Sequence, residues 1–169
     1  YLQGFNTSDN LFMYLKRRVS GLKPHTLYAL TMRLEIASAS PSGCAGIGGQ
    51  PGESVWVKVG ASNVEPKTVQ EGEDQEFNVD KGGQSTGGDA ALVVGNAANG
   101  VNECHGAPFR MITRHNIGKP ITARTDETGS LWIFTGTDSG FEGPTALYYD
   151  RIEVQLKAVP SLASSKGAE

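Results

Sequence analysis

The sequence predicts an all-β fold built as an antiparallel two-sheet β-sandwich with little helix. Apolar and polar side chains alternate with a period of two residues along several segments, which is typical of strands with one buried face. Turn-forming residues separate these segments, and the chain of 169 residues contains 22 glycines and 8 prolines. No helical periodicity lies between the segments, which disfavours a parallel sheet with crossover helices.

About nine strands are predicted in chain order. The clearest covers residues 26–37, where Leu30, Met32 and Leu34 share one face. In the last strand, Asp150 shares a face with Ile152 and is therefore expected to point inward. The full set comprises residues 11–19, 26–37, 54–61, 75–80, 91–95, 109–117, 120–126, 130–135 and 146–159.

The domain organisation predicted from this pattern is one β-sandwich over residues 1–159, followed by a flexible tail at 160–169. That tail consists of small and polar residues, which suits a frayed terminus. Long glycine-rich loops at 38–53, 80–89 and 95–108 interrupt the strands. Loops of this length in a compact domain carry function or move.

Charge and hydropathy exclude two classes of partner. Lysine and arginine number 15 against 18 acidic residues, a net charge of -3, so the chain has no general field for binding nucleic acid. The sequence has no apolar run long enough for a membrane-spanning helix.

Three stretches resemble secreted β-jelly-rolls of the carbohydrate-binding-module, or galactose-binding-like, class. SGLKPHTLY at residues 20–28 resembles their "GLKPNTxY" strand entry, and LYYDRIEV at 147–154 resembles their final "YYDNIxV" strand. LFMYLKRRV at 11–19 is similar to their "LYxxVxGL" strand. The resemblance implies a jelly-roll topology, export to the periplasm, cell surface or medium, and a carbohydrate ligand. In that class a further strand precedes the LYxxVxGL strand, so the chain is expected to begin inside its domain.

Cys44 and Cys104, the two cysteines of the chain, both lie in glycine-rich loops. In an exported fold of this type, loop cysteines favour a disulfide, and the alternative is two unrelated thiols. A zinc site with His105 would lack a fourth ligand.

Acidic residues suggest a structural calcium site. Asp138 and Glu142 flank a glycine in a predicted loop, and carboxylates on a bent loop suit a hard cation. In the jelly-rolls that the chain resembles, the aspartate matching Asp150 sometimes binds calcium. The alternatives are solvated acids in the loop and, for an inward Asp150, pairing with Arg110 or Arg114 or with backbone N–H groups.

Aromatic and basic side chains are the candidates for sugar recognition, since rings stack on sugar faces and guanidinium groups bind carboxylates. The alternative for the aromatics is a second buried layer, and for the arginines a solvated face with cross-strand acids. The selected ligand-binding candidates are Trp56, Tyr149, Arg110 and Arg114, with Trp132, Tyr14 and Arg124 as further members.

The leading functional hypothesis is a non-catalytic binding or accessory domain that takes a glycan. A second hypothesis is a polysaccharide lyase or hydrolase, which requires His115, Arg114 and Tyr149 to meet in one concave cleft. A third is a structural or assembly domain without a small ligand. The sequence leaves the oligomeric state open.

Overall fold

The computed structural model describes residues 1–72 and 74–160, and these residues form an all-β domain. Of the predicted tail, all but position 160 lies outside the described residues. The strands are β1 (Leu2–Phe5), β2 (Leu11–Val19), β3 (Leu27–Ser38), β4 (Val55–Ser62), β5 (Thr68–Glu71), β6 (Asp74–Phe77), β7 (Ala91–Asn96), β8 (Arg110–His115), β9 (Ile121–Arg124), β10 (Leu131–Ser139) and β11 (Pro144–Ala158).

The strands form two antiparallel sheets with jelly-roll connectivity. The five-stranded sheet has the order β1-β11-β3-β8, with β9 also paired to β3, and the four-stranded sheet has the order β2-β10-β4-β7. Most strands that follow one another in the chain alternate between the two sheets, as in a jelly roll. β4 and β7 share the four-stranded sheet, and β8 and β9 share the five-stranded one. The short hairpin β5–β6 is inserted between β4 and β7. The predicted antiparallel sandwich of jelly-roll type is confirmed.

The core lies between the sheets and follows the predicted alternation. Along β3 every second residue is buried, including Leu30 and Leu34, which have no exposed surface. These side chains face Val57 and Val59 of β4 within one hydrophobic cluster. Each fully buried aliphatic side chain contributes about 1.5–3 kcal/mol relative to an exposed one.

All nine predicted strands have an observed counterpart, and two short strands were not predicted. β1 pairs with the start of β11, with Leu2 opposite Leu147, so the chain itself supplies a strand ahead of β2. β5 belongs to a polar hairpin with no apolar alternation, so its sequence carried no strand signal. β6 lies slightly earlier in the chain than the predicted 75–80 segment.

The predicted loop that contains Asp138 and Glu142 covers residues 137–143, and the prediction is wrong for residues 137–139. β10 continues to Ser139, because it is paired on both sides. Thr137 lies opposite Met13 of β2 and Val57 of β4, and Asp138 is completely buried. Two neighbouring strands therefore maintain an extended conformation in a segment whose polar residues favour a turn.

A β-bulge at Asp150 changes which side chains of β11 face the core. The register with β3 runs from Tyr149 opposite Ile36 directly to Arg151 opposite Glu35, which leaves Asp150 unpaired. Asp150 is exposed, so the prediction that it points inward is wrong. Before the bulge the odd-numbered residues face inward, and after it the even-numbered ones do.

The segment between β4 and β7 covers the outer face of the four-stranded sheet. Phe77 contacts the rings of Phe12, Tyr14 and Phe134 at centroid distances of 4.8, 4.9 and 5.5 Å. Phe134, on the sheet below, is only 1% exposed. This packing forms the second buried layer that the sequence left as an alternative for aromatic side chains.

A disulfide joins Cys44 to Cys104, as predicted, with the two Cα atoms 5.6 Å apart. It ties the loop after β3 to the loop before β8. The bond closes a sequence separation of 60 residues. In the chain-entropy model a loop of this size contributes roughly 4 kcal/mol to stability.

Among residues 1–72 and 74–160, no helix has the length and apolar character needed to cross a membrane.

Candidate functional site

An exposed group of apolar side chains lies on the outer face of the five-stranded sheet, the face turned away from the four-stranded sheet. We call Tyr1, Phe109, Met111 and Tyr148 the aromatic patch; their exposed fractions are 58%, 48%, 56% and 48%. The ring of Tyr148 lies 4.4 Å from that of Tyr1 and 5.2 Å from that of Phe109. Contiguous exposed apolar groups of this kind are typical of interaction sites.

Strand register explains why these side chains meet. Tyr148 of β11 lies opposite Ala37 of β3, which lies opposite Met111 of β8. The small Ala37 separates the two larger side chains in this row. Because Leu147 beside Tyr148 is fully buried, the alternation of the strand turns Tyr148 outward.

Two rows of charged and polar side chains adjoin the aromatic patch on the same face. The first contains Arg151, Glu35 and Thr113, and the second Glu153, Arg33 and His115. Ion pairs join the side chains of these rows. Guanidinium nitrogens of Arg151 lie 3.1 Å from a carboxylate oxygen of Glu153 and 3.9 Å from one of Glu35, and a guanidinium nitrogen of Arg33 lies 3.4 Å from a carboxylate oxygen of Glu35. The bond to Glu153 and the nearby charge of Glu35 raise the pKa of Arg151. The ion pairs thus place hydrogen-bond donors and acceptors on the same face as the aromatic patch.

The same face continues into a shallow groove beneath the β8–β9 turn. The groove has a volume of about 520 Å³, and Thr31, Gln155, Lys157 and Ile117 line it. Ile117 in the turn is 61% exposed. The outer face therefore carries rings at one end, a charged band in the middle and a groove at the other end.

The predicted sugar-stacking aromatics lie elsewhere. Trp56 and Trp132 are half-buried on the four-stranded sheet, and the ammonium group of Lys16 lies 5.5 Å from the Trp132 ring. Tyr149 packs against the core cluster, and burial raises the pKa of its phenol. The structure does not bring Trp56 and Tyr149 together, because they belong to different sheets.

The sequence missed Tyr148 as an exposed ring. Regular alternation along residues 146–159 predicts that Tyr148 shares a face with Ile152, and the bulge at Asp150 reverses that prediction. Phe109 and Met111 fall on the same face of the predicted strand at 109–117, but the sequence does not indicate that this face is the exposed one.

The predicted arginine face is not formed. Arg114 is half-buried and donates to the carbonyl oxygens of Asn96 and Ala98 at 2.8 and 3.1 Å, and burial lowers its pKa. Arg124 donates to the carbonyl oxygen of His25 at 2.7 Å. Arg110 is exposed at the start of β8, opposite the inward-facing Ser38. Arg114 and Arg124 thus stabilise loops.

The predicted calcium ligands are also separated. Asp138 is buried in β10, whereas Asp150 is exposed at the bulge of β11. Glu142 lies in the β10–β11 loop and pairs through its backbone with Ile47. Within the described part of the chain, no three Asp, Glu, His or Cys side chains are grouped as a metal site.

A lysine ammonium group occupies the oxygen-rich position next to Asp138. Lys58 of β4 has no exposed surface, and its Nζ lies 2.9 Å from Asp138 Oδ2. The same Nζ donates to the carbonyl oxygens of Lys81, Gly83 and Thr86. Burial lowers the pKa of Lys58. Its position between valines in the sequence gave no hint of these partners.

The lyase hypothesis required His115, Arg114 and Tyr149 to converge, and the structure separates them. His115 lies opposite Arg33 on the outer face. Tyr149 lies opposite the buried Ile36 and faces the core. The β-sheet therefore separates the imidazole from the phenol.

No protein-family model matches the chain, and comparisons with curated proteins and with solved structures found no match. The resemblance to carbohydrate-binding jelly-rolls therefore stays a prediction, and the outer face of the five-stranded sheet carries the evidence for function.

Proposed function

We propose that this chain is a non-catalytic glycan-binding domain of an exported protein, and that it binds through the outer face of the five-stranded sheet. The observation that carries the proposal is the aromatic patch around Tyr148. Aromatic rings bind the apolar face of a sugar ring, and adjoining polar groups orient its hydroxyls. The disulfide is compatible with export, since such bonds persist in oxidising compartments.

Charge on this face favours a neutral polymer over a uronic-acid polymer. Arg33 and Arg151 are balanced by Glu35 and Glu153, with which they form ion pairs. Arg114, the guanidinium group first considered for uronic acids, donates to backbone carbonyl groups instead. Hydroxyl groups can bond to both members of such pairs, whereas a polyanion would be repelled by the two glutamates.

The experiment is native affinity electrophoresis in gels that contain soluble polysaccharides. Glucan, xylan and mannan serve as neutral probes, with alginate and pectate as anionic ones. We expect at least one neutral polymer to retard the wild-type chain, and Tyr148→Ala to weaken that binding about tenfold or more. Val64→Ala is the matched control, because Val64 is an exposed apolar side chain, at 53%, that follows β4 of the other sheet.

Two results would contradict the proposal. One is no retardation by any polymer, and the other is an equal loss in Tyr148→Ala and Val64→Ala. An assembly role would appear instead as a wild-type dimer in light scattering that Tyr148→Ala dissociates.

A further inference from the structure

An open cleft separates the two sheets where β2 faces the second half of β11. Its volume is about 620 Å³, and Met32, Ile133, Ile152 and Val154 form its apolar wall. Ile152 and Val154 lie opposite the buried Leu34 and Met32 and so face inward, yet they are 39% and 37% exposed. The cleft therefore leaves part of the core surface uncovered.

Both strands that border the cleft have an unpaired edge. β1 pairs with β11 only from Pro144 to Leu147. From there to Ala158, β11 has β3 as its single neighbour among the described strands. β2 is the edge of the four-stranded sheet and pairs only with β10. Free N–H and C=O groups on an edge strand are a template for a further strand.

The cleft also carries a positive charge that the described residues do not neutralise. Three basic residues follow one another on β2 and line the cleft, and two of them are paired: Lys16 with Glu65 at 2.8 Å and Arg18 with Asp126 at 3.5 Å. Arg17 lies opposite the inward-facing Ile133 and is exposed. It forms no ion pair with the side chains that the structure describes.

We propose that this cleft binds an extended acidic peptide segment of a partner protein as an added strand on the edge of β11. The segment would continue the row that β1 begins. Its side chains would alternate, with apolar ones against Ile152 and Val154. A carboxylate near the cleft mouth would pair with the Arg17 guanidinium, which suits carboxylate geometry.

The unpaired edge favours a peptide over an amphiphilic small molecule. A fatty acid would satisfy the apolar wall and Arg17, but it would leave the backbone groups of β11 between Arg151 and Ala158 without partners. An extended peptide satisfies all three features of the cleft. This surface is distinct from the aromatic patch, because Ile152 and Tyr148 face opposite sides of the five-stranded sheet.

The test uses fluorescent synthetic peptides of about eight residues, a common strand length. In the test set one face of the strand carries valine or isoleucine and a single glutamate or aspartate, and the other face carries threonine. The face with the acidic residue is the one that meets the cleft and Arg17, and lysine replaces the acidic residue in the control set. We expect members of the acidic set to bind and Arg17→Glu to weaken them about tenfold or more. Arg110→Glu is the matched charge reversal, on β8 at the far edge of the sheet that contains β11, and should leave binding unchanged.

Hydrogen exchange supplies a second readout at the proposed edge. Bound peptide should slow amide exchange between Arg151 and Ala158, and thermal melting should show that Arg17→Glu remains folded. The proposal is overturned if no acidic peptide binds in an Arg17-dependent manner, or if bound peptide leaves those amides unprotected. Arg17-dependent binding of oleate without any peptide binding would identify an amphiphile site instead.

Discussion

The ammonium group of Lys58 lies 2.9 Å from the Asp138 carboxylate, and neither side chain has any exposed surface. Lys81 approaches the same carboxylate oxygen, Oδ2, at 2.7 Å. Because Lys58 also donates to carbonyl groups of residues 81, 83 and 86, it fastens the glycine-rich loop to β4 and β10. The Asp138 carboxylate, which the sequence suggests as a calcium ligand, is thus paired with two lysine ammonium groups.

Replacing Lys58 by methionine should destabilise the fold strongly. The change keeps the side-chain volume, but it leaves the buried Asp138 with Lys81 as its remaining ion-pair partner among the described residues and removes the donor from three carbonyl groups. Breaking a buried ion pair in this way costs about 3–5 kcal/mol. Urea unfolding of Lys58→Met measures the loss.

Lys16→Met is the matched control, because Lys16 forms an exposed pair with Glu65. Pairs of this kind contribute about 0–1 kcal/mol. The double variant Lys58→Met/Asp138→Leu should recover part of the lost stability, since it removes the buried carboxylate that has lost one of its two lysine partners. Equal effects in Lys58→Met and Lys16→Met would show that the buried contact does not stabilise the domain.

Calcium should have little effect on the melting temperature. The Asp138 side chain has no exposed surface, and its Oδ2 atom already accepts two lysines. Asp150 is exposed on β11 and belongs to the other sheet. Thermal unfolding in EDTA and then in excess calcium tests this, because a ligand of the native state raises the melting temperature. A rise of several degrees that Glu142→Gln or Asp150→Asn abolishes would instead support the calcium hypothesis.

Acid should weaken the turn between β9 and β10 through Asp126. Its carboxylate accepts hydrogen bonds from the Thr128 hydroxyl and from the amides of Ser130 and Thr128. These bonds lower its pKa below the ordinary value of 3.8. Since the folded pKa is the lower one, the stabilisation is complete well above pH 3.8 and is lost as pH falls through the folded pKa.

Asp126→Asn should therefore be less stable than the wild type at neutral pH, and the difference should shrink in acid. Urea unfolding at several pH values below neutrality measures both curves. Asp150→Asn is the control, because the Asp150 carboxylate accepts no hydrogen bond from the described residues. Parallel curves for Asp126→Asn and the wild type at all pH values would exclude this contribution.

Strand alternation was sufficient to predict the sandwich but not the exposed aromatic patch. The pattern in β3 identified a buried face because every second side chain is apolar, and the structure confirms it. In β11 both parities carry large apolar residues around Asp150, so the sequence does not indicate where a bulge reverses them. Because Asp150 is unpaired, the exposed ring is that of Tyr148 and not that of Tyr149.

Lys58 shows a second limit of the sequence. It occupies an outward position of β4, where an exposed lysine is the ordinary expectation. It is buried because a loop more than twenty residues later in the chain supplies its partners, the nearest of them 23 residues away. Long-range contacts of this kind leave no periodic signal in the sequence.

Deleting Asp150 should leave Tyr148 outward and Ile152 inward. Asp150 has no partner on β3, whereas Tyr149 and Arg151 on either side of it lie opposite the adjacent Ile36 and Glu35. Its removal therefore joins two segments whose side chains already alternate in phase, and the core packing of β11 should be retained. The Asp150 side chain is exposed, so Asp150→Ala should alter stability by no more than about 0.5 kcal/mol. Urea unfolding of both variants compares the backbone contribution of the bulge with that of the carboxylate. A deletion variant that lost most of the wild-type stability would show that the domain requires the bulge itself.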